Sequence, residues 1–249
     1  MKATNKLNDC GCVRRACSGG GCNNLLAIAS IALAFMLGSA RPAAGEEVSA
    51  TATVWAGLDY SQARLIGKGK FDYGFDDTNR FLPFMFDEWN QLFTQERLAD
   101  VGSDLRKELL PDLASVNARN AAFNPAQIIL QPGADDGLKD THLTRDLIAA
   151  EVQALNLKYT NGLGLVIIVD RLVYGMVKSN EGGNHQTYAR SCGGAAYVVF
   201  FDVATRRVIA ARREYYHVSS GANFRNFWFG PIKDVASTIG DDRFISLAQ

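Results

Sequence analysis

The stretch GLGLVIIVDRLVYGMV, residues 162 to 177, constrains this chain more than any other. It is a near-continuous apolar run rich in β-branched residues, broken only at Asp170-Arg171, and it reads as a buried strand. Two later segments extend it into a sheet. AAYVVFFDV (195–203) and RRVIAARREYYHV (206–218) read as further strands joined by a tight turn at Ala204-Thr205, which favours antiparallel pairing. Between the first and second of these three strands, SNEGGNHQTYARSCGG (179–194) reads as a long hairpin connection.

The segments before that sheet alternate between strand and helix patterns. In TVWAGLDYSQARLIG (53–67), Val54, Ala56, Leu58 and Tyr60 recur at the period of a strand. Pro83 suits the first turn of a helix over PFMFDEWNQLFTQERL, where Met85, Trp89, Leu92, Phe93 and Glu96 fall at helical spacing. DLRKELL, ending at Pro111, is a second helix candidate, and Ile128 to Leu130 a short strand. Thr144 is placed to cap a helix whose Ile148, Val152 and Leu155 share one face. An apolar helical pattern begins after Pro231 and ends near Gly240. The expected fold class is α/β or α+β: a mixed sheet with antiparallel C-terminal hairpin strands, packed by helices.

The N-terminal region has a different character. Leu25 to Leu37 is an apolar run of thirteen residues, with Arg14 and Arg15 before it and Arg41 after it. At 1.5 Å per residue it spans about 20 Å, short of the roughly 30 Å hydrocarbon core. A basic start, a short apolar stretch and then small residues form the pattern of a secretory signal peptide, with cleavage after Ala40 or Gly45. Residues 1–45 are therefore read as signal peptide and leader, with translation starting near Val13 as a variant of that reading, and 46–249 as a single secreted α/β domain. Cys10, Cys12, Cys17 and Cys22 lie in the leader, in a C-x-C-x4-C-x4-C pattern unlike paired zinc knuckles. No cysteine directly succeeds the apolar run, so no lipidation site is expected and no stable membrane anchor after cleavage.

Charge narrows the function classes. The chain carries 26 basic and 26 acidic residues; removing the five basic and one acidic residue of positions 1–45 leaves 21 and 25, a net charge of −4. Nucleic-acid binding needs a concentrated positive surface, so it is not expected. The cluster Arg206, Arg207, Arg212 and Arg213 reads as a solvated strand face.

The piece LVIIVDRLVYG…AAYVVFFDVATRRVIAARRE, about 40 residues, resembles the strand-hairpin core of bacterial envelope proteins of the curli-secretion lipoprotein and penicillin-binding-protein activator type. The matching residues are Asp202, Val203, Thr205 and Arg206-Arg207-Val208. Asp202 and Thr205 would hydrogen-bond the turn backbone, a folding role. The mature chain is also similar to uncharacterised secreted bacterial proteins. The resemblance implies an envelope location and a partner in the envelope, while the missing lipidated cysteine and the long 179–194 connection set this chain apart.

Candidate chemistry is sparse. Cys192 in RSCGG has His185 seven residues before it, and a thiol beside an imidazole can be a nucleophile. His142, His185 and His217 form no close ligand pair, so no metal is expected, and no phosphate-binding glycine motif or other cofactor signature occurs. Asp59 and Asp170 sit among apolar strand residues; paired carboxylates can do acid–base work, but ion pairs with Arg64 and Arg171 are the commoner use. Tyr215, Tyr216, Phe224, Arg225, Phe227 and Trp228 form an aromatic stretch with arginine, the composition of interface anchors and equally of a core contact between the last strand and last helix. These features point to a secreted, periplasmic, non-enzymatic envelope protein acting by protein binding or assembly. The alternatives are a hydrolase using the Cys/His connection, and a small-molecule or glycan binder using the aromatic segment.

Overall fold

A computed structural model describes residues 45–67, 78–129, 137–179, 187–218 and 224–240. The leader with its four cysteines and its apolar run lies outside the described residues, as does His185. The elements run β1 (Ala52–Asp59), β2 (Arg64–Gly67), α1 (Thr78–Glu96), α2 (Leu98–Leu105), β3 (Glu108–Pro111), α3 (Ala114–Ala121), β4 (Ile128–Ile129), α4 (Arg145–Gln153), β5 (Leu163–Ser179), β6 (Thr187–Asp202), β7 (Val208–Val218) and α5 (Phe224–Ser237). All seven strands join one mixed sheet, with helices packed on it. Among the described residues no helix is long and apolar enough to cross a membrane.

β5 is the axis of this sheet. One of its edges pairs antiparallel with β6 along the whole of both strands, and β6 pairs antiparallel with β7. Its other edge is shared. β1 runs parallel to Leu163–Ile168, and β2 runs parallel to Arg171–Tyr174. β3 then adds to β1, and β4 to β2, both parallel. The alternating side chains of β5 feed two separate cores, which is why its sequence is apolar at nearly every position. Leu165, Ile167 and Val169 pack with α1, α2 and α5, whereas Val166 and Ile168 pack with α3 and α4. The first core is aromatic at its centre, where Trp55 stacks on Phe93 at 4.7 Å and Tyr60 on Phe86 at 4.4 Å.

Several expectations are corrected by this arrangement. Val54, Ala56, Leu58 and Tyr60 do not share a face. The pairing with β5 skips Ala56, so Val54 and Ala56 face the α4 side while Trp55, Leu58 and Tyr60 face the other. Gly57, at φ 115°, allows that bulge, and a Cβ there would press on Asn90 Oδ1 at 2.9 Å. DLRKELL is not one helix: α2 ends at Leu105, Arg106 takes a left-handed conformation at φ 54°, and Glu108–Pro111 turns into an edge strand. Pro83 lies inside α1 rather than in its first turn, and Pro231 lies inside α5. The 179–194 connection is shorter than expected, because β6 already begins at Thr187. Other expectations match. Thr144 Oγ1 accepts from Leu147 N at 3.2 Å at the start of α4, and Thr205 N and Oγ1 donate to Asp202 Oδ1 at 2.7 and 2.6 Å in the β6–β7 turn.

Beyond Trp55, β1 has outrun its neighbour β3 while β4 has not yet begun. Two asparagines fill that gap. Asn90 of α1 accepts from Leu58 N at 2.6 Å and donates to Leu58 O at 3.0 Å, the pair of bonds a neighbouring strand would make. Asn120 of α3 donates to Leu58 O at 2.9 Å and accepts from Tyr60 N at 2.6 Å. Both side chains are buried, so their amides have no water to fall back on. Replacing Asn90 by leucine should therefore cost about 2–4 kcal/mol, since the buried Leu58 N–H loses the Asn90 acceptor. Chemical denaturation measures this, and a loss under about 0.5 kcal/mol would show that the strand end is held some other way.

Candidate functional site

The point where β5 passes from β1 to β2 is also where its own register shifts. Val169 is paired with Ala196 and Arg171 with Ala195, so Asp170 is the extra residue of a bulge. Bulges re-aim side chains, and this one places Asp170 and Arg171 together on the α4 side of the sheet. Opposite them, the turn Tyr60–Ala63 links β1 to β2, closed by an Ala63 N to Tyr60 O bond of 2.9 Å. A network of charges builds up around this junction.

Its first half centres on Arg119 of α3. Arg119 Nη2 lies 3.1 Å from Asp59 Oδ2 and donates to Ser61 Oγ at 3.1 Å, while Nη1 donates to Glu151 O at 2.7 Å. The same guanidinium pairs with the Glu151 carboxylate from α4. Asp59 also accepts from Ser61 N at 2.9 Å, an Asx-type turn that starts the link to β2. The second half centres on Asp170, fully buried. Arg213 of β7 reaches over β6 and donates from Nε to Asp170 Oδ2 at 2.8 Å. His142 Nδ1 lies 3.0 Å from Asp170 Oδ1, and its Nε2 lies 2.9 Å from the Gln62 carbonyl oxygen. Arg171 Nε is 3.6 Å from Asp170, and its Nη1 donates to Gly137 O at 2.8 Å. Arg213 also donates to the carbonyls of Leu138, Lys139 and Asp140. The segment 137–142 is thus strapped to the sheet by two arginines and a histidine.

Burial alone would push the Asp170 carboxyl up. Its contacts with His142 and Arg213, and the charge of Arg171, outweigh burial and hold it below the usual carboxylate range. The arrangement is that of an ionised carboxylate serving as a structural counter-ion. The expected partners are corrected in part: Asp170 does pair with Arg171, but Asp59 pairs with Arg119, sixty residues on, and not with Arg64. The arginine cluster is a solvated face only in part, since Arg207 is exposed while its neighbours have partners. Arg213 is tied to Asp170, Arg212 to Glu214, and Arg206 donates to Leu155 O at 3.1 Å.

Over this network lies an open cleft of about 640 Å³, with Ser61, Gln62, Arg64, Arg119, Asn124 and His142 among its walls. On the far side of α4 lies a second depression of about 660 Å³, a groove between that helix and β7. Leu143, Ile148, Tyr197, Val208 and Ile209 line it together with the charged Arg145 and Asp146, so its walls are mixed.

Apart from Asp59, Asp170 and His142, already placed, and His185, the sequence-selected residues fall on β6, β7 and α5. Cys192 is in the strand, its Cα opposite Tyr174 on β5 and Val218 on β7, not in a connection. Its side chain lies outside the described residues, as do those of His217, Phe224, Arg225, Phe227 and Trp228. Tyr215 is 44% exposed on β7, and Tyr216 packs partly buried against the α1/α2/α5 core. Tyr215 and Tyr216 therefore divide between surface and core. No group of three or more His, Cys, Asp or Glu among the described residues is placed to hold a metal ion. Sequence reasoning missed Arg119, Glu151, Asn90 and Asn120; a polar residue breaking an apolar helical face was their only signal.

Neither a family model nor a curated protein matches the chain. Among solved structures, the hypothetical protein CT253 from Chlamydia trachomatis is similar at 12% identity and a TM-score of 0.30, over 79% of this chain and 98% of that one. A protein described as a neuraminyllactose-binding hemagglutinin homolog from Helicobacter pylori is similar at 9% identity and a TM-score of 0.23, over 83% and 87%. Likeness at this level carries no argument about function.

Asp170 makes the stability of this site pH-dependent in a fixed direction. Its folded-state value lies below the ordinary 3.8, so its stabilisation is present above that value and is lost as pH falls through the folded-state value. Asp170→Asn should cost about 3–5 kcal/mol at pH 7, because Arg213 and Arg171 are left buried without their counter-ion. The variant's stability should also fall less steeply below about pH 4 than that of the wild type. Denaturant titrations from pH 7 to pH 3 check both.

Proposed function

We propose that this chain is a secreted, periplasmic protein that acts by binding an extended segment of another protein along β7, without catalysing a reaction. The observation that carries the reading is the state of that strand. β7 is eleven residues long, pairs with β6 on one side, and pairs with no other strand among the described residues. Such an edge offers a row of backbone donors and acceptors, and an extended chain is what can satisfy it. Ile209 and Tyr215 are 45% and 44% exposed along it, and the groove against α4 lies beside it. Backbone pairing would supply affinity, and the groove, with its apolar residues and the charged Arg145 and Asp146, would select the side chains of the added strand.

The charges inside the sheet support a binder over an enzyme. Asp59, Glu151 and Asp170 each face an arginine, the use of carboxylates as struts. The export pattern of residues 14–45 supports the location, and the Asp202–Thr205 hairpin supports the envelope-protein resemblance.

The test selects peptides from a displayed library of random dodecapeptides and tracks backbone hydrogen exchange of the full chain with the best binder. Protection of β7 amides, with binding reduced about tenfold or more by Ile209→Lys, is the expected result. Both Ile209→Lys and Tyr215→Lys should leave thermal stability nearly unchanged, as surface substitutions do. Peptides that protect amides elsewhere and leave β7 exchanging as before would refute the reading.

A further inference from the structure

The cleft over the β1–β2 junction contains a cation that the network around it does not use. Four arginines reach this region. Arg119 is held by Asp59 and Glu151, and Arg171 and Arg213 are held by Asp170. Arg64 lines the cleft, half-buried, and among the described residues it makes no ion pair and no hydrogen bond. A guanidinium brings five donors, and lowering its solvation without a partner is unfavourable.

Position makes this more costly. Arg64 on β2 is the direct cross-strand partner of Arg171 on β5, so two guanidinium-bearing residues sit side by side in the parallel ladder. Arg171 has turned to Asp170 and the Gly137 carbonyl, and Arg64 stands at the cleft wall with His142 and Arg119. Like charges directly opposite in a sheet destabilise it, and an anion at the mouth of the cleft would relieve that repulsion. The remaining walls are hydrogen-bonding rather than acidic. Asn124 uses its Oδ1 for Ala126 N and leaves its Nδ2 group without a partner among the described residues, and the Gln62 side-chain amide is likewise unengaged. The one carboxylate in the wall, Glu151, is already paired with Arg119. At about 640 Å³ the cleft is in the size range of small-molecule sites.

We infer that this cleft is a binding site for a small polar molecule bearing one oxyanion group, a carboxylate or a phosphate, with Arg64 as the anion-binding residue and the Gln62 and Asn124 amides as hydrogen-bonding partners. The site does not depend on the β7 reading. α4 lies between the two, giving Glu151 to the cleft and Ile148 and Ala149 to the groove. A planar guanidinium grips either oxyanion through two parallel N–H···O bonds, which fixes the orientation of the bound molecule.

The test titrates the full chain with glucuronate, inorganic phosphate and glucose, measuring binding by calorimetry and by the amide resonances of residues 61–64. Saturable binding of at least one of the two anions, with glucose bound at least ~10-fold more weakly, is expected. Preference between glucuronate and phosphate tells carboxylate from phosphate as the recognised group. Arg64→Gln should weaken the preferred anion ~10–100-fold, the range for losing a charge-assisted pair, and Arg64→Lys should recover part of that loss. Arg64→Gln should fold normally, since the residue has no structural partner to lose. Equal affinity of the wild type and Arg64→Gln for the anions, equal affinity for glucose, or no saturable binding of either anion would each overturn the inference.

Discussion

The fold depends on β5 carrying two short strands on a single edge. A seventeen-residue strand cannot find one parallel partner of its own length in a chain whose β1 ends at Asp59, so β1 and β2 divide it. Any such division leaves a junction where backbone groups have no ladder to join, and buried backbone groups must be paired. The junction is met in two ways. Asn90 and Asn120 supply side-chain amides in place of the missing strand, and Asp59 closes the turn that restarts the chain as β2. Both asparagines sit on helices, so α1 and α3 are fixed to the sheet by hydrogen bonds as well as by apolar packing.

Polar groups brought to the junction then needed charge balance, and the arginines result from that. Each long guanidinium reaches from a different element, α3, β5 or β7, to a carboxylate at the centre. The arrangement trades desolvation of several charges for geometric definition. Replacing a buried ion pair with apolar groups is often neutral in stability, so the network's contribution is one of register and position. The bulge at Asp170 is consistent with that, because it brings Asp170 and its neighbour Arg171 to the same face, where an unbroken strand would have sent them to opposite ones.

The same distinction between local and long-range causes explains what could be read in the sequence. β5 announces itself by its composition, α4 by the Thr144 cap and a 3.6-residue period, and the β6–β7 turn by Asp202 and Thr205; each signal lies within a few residues of the structure it produces. The start of β6 was hidden because its small and polar residues look like a loop, and only pairing with β5 makes them a strand. DLRKELL has helical propensity throughout, yet pairing with β1 claims its second half. The β1 bulge has no mark beyond Gly57. For the site, Asp59 and Asp170 were visible as charges among apolar strand residues, but Arg119 reaches Asp59 from another element altogether and Arg213 reaches Asp170 from across β6, and spacing holds no record of that.

Arg64 shows how a residue can be informative by remaining outside such a network. Its position opposite Arg171 is fixed by the β2–β5 register, so the fold places it there whether or not it has a partner. A sequence free to vary could put a neutral side chain at that point of the ladder and remove the repulsion at no cost to the core, since Arg64 faces the cleft and contributes to neither apolar cluster. The neighbouring arginines are explained by the carboxylates they hold. Arg64 has no such carboxylate among the described residues, and the amides around it suit a group that accepts hydrogen bonds and carries negative charge.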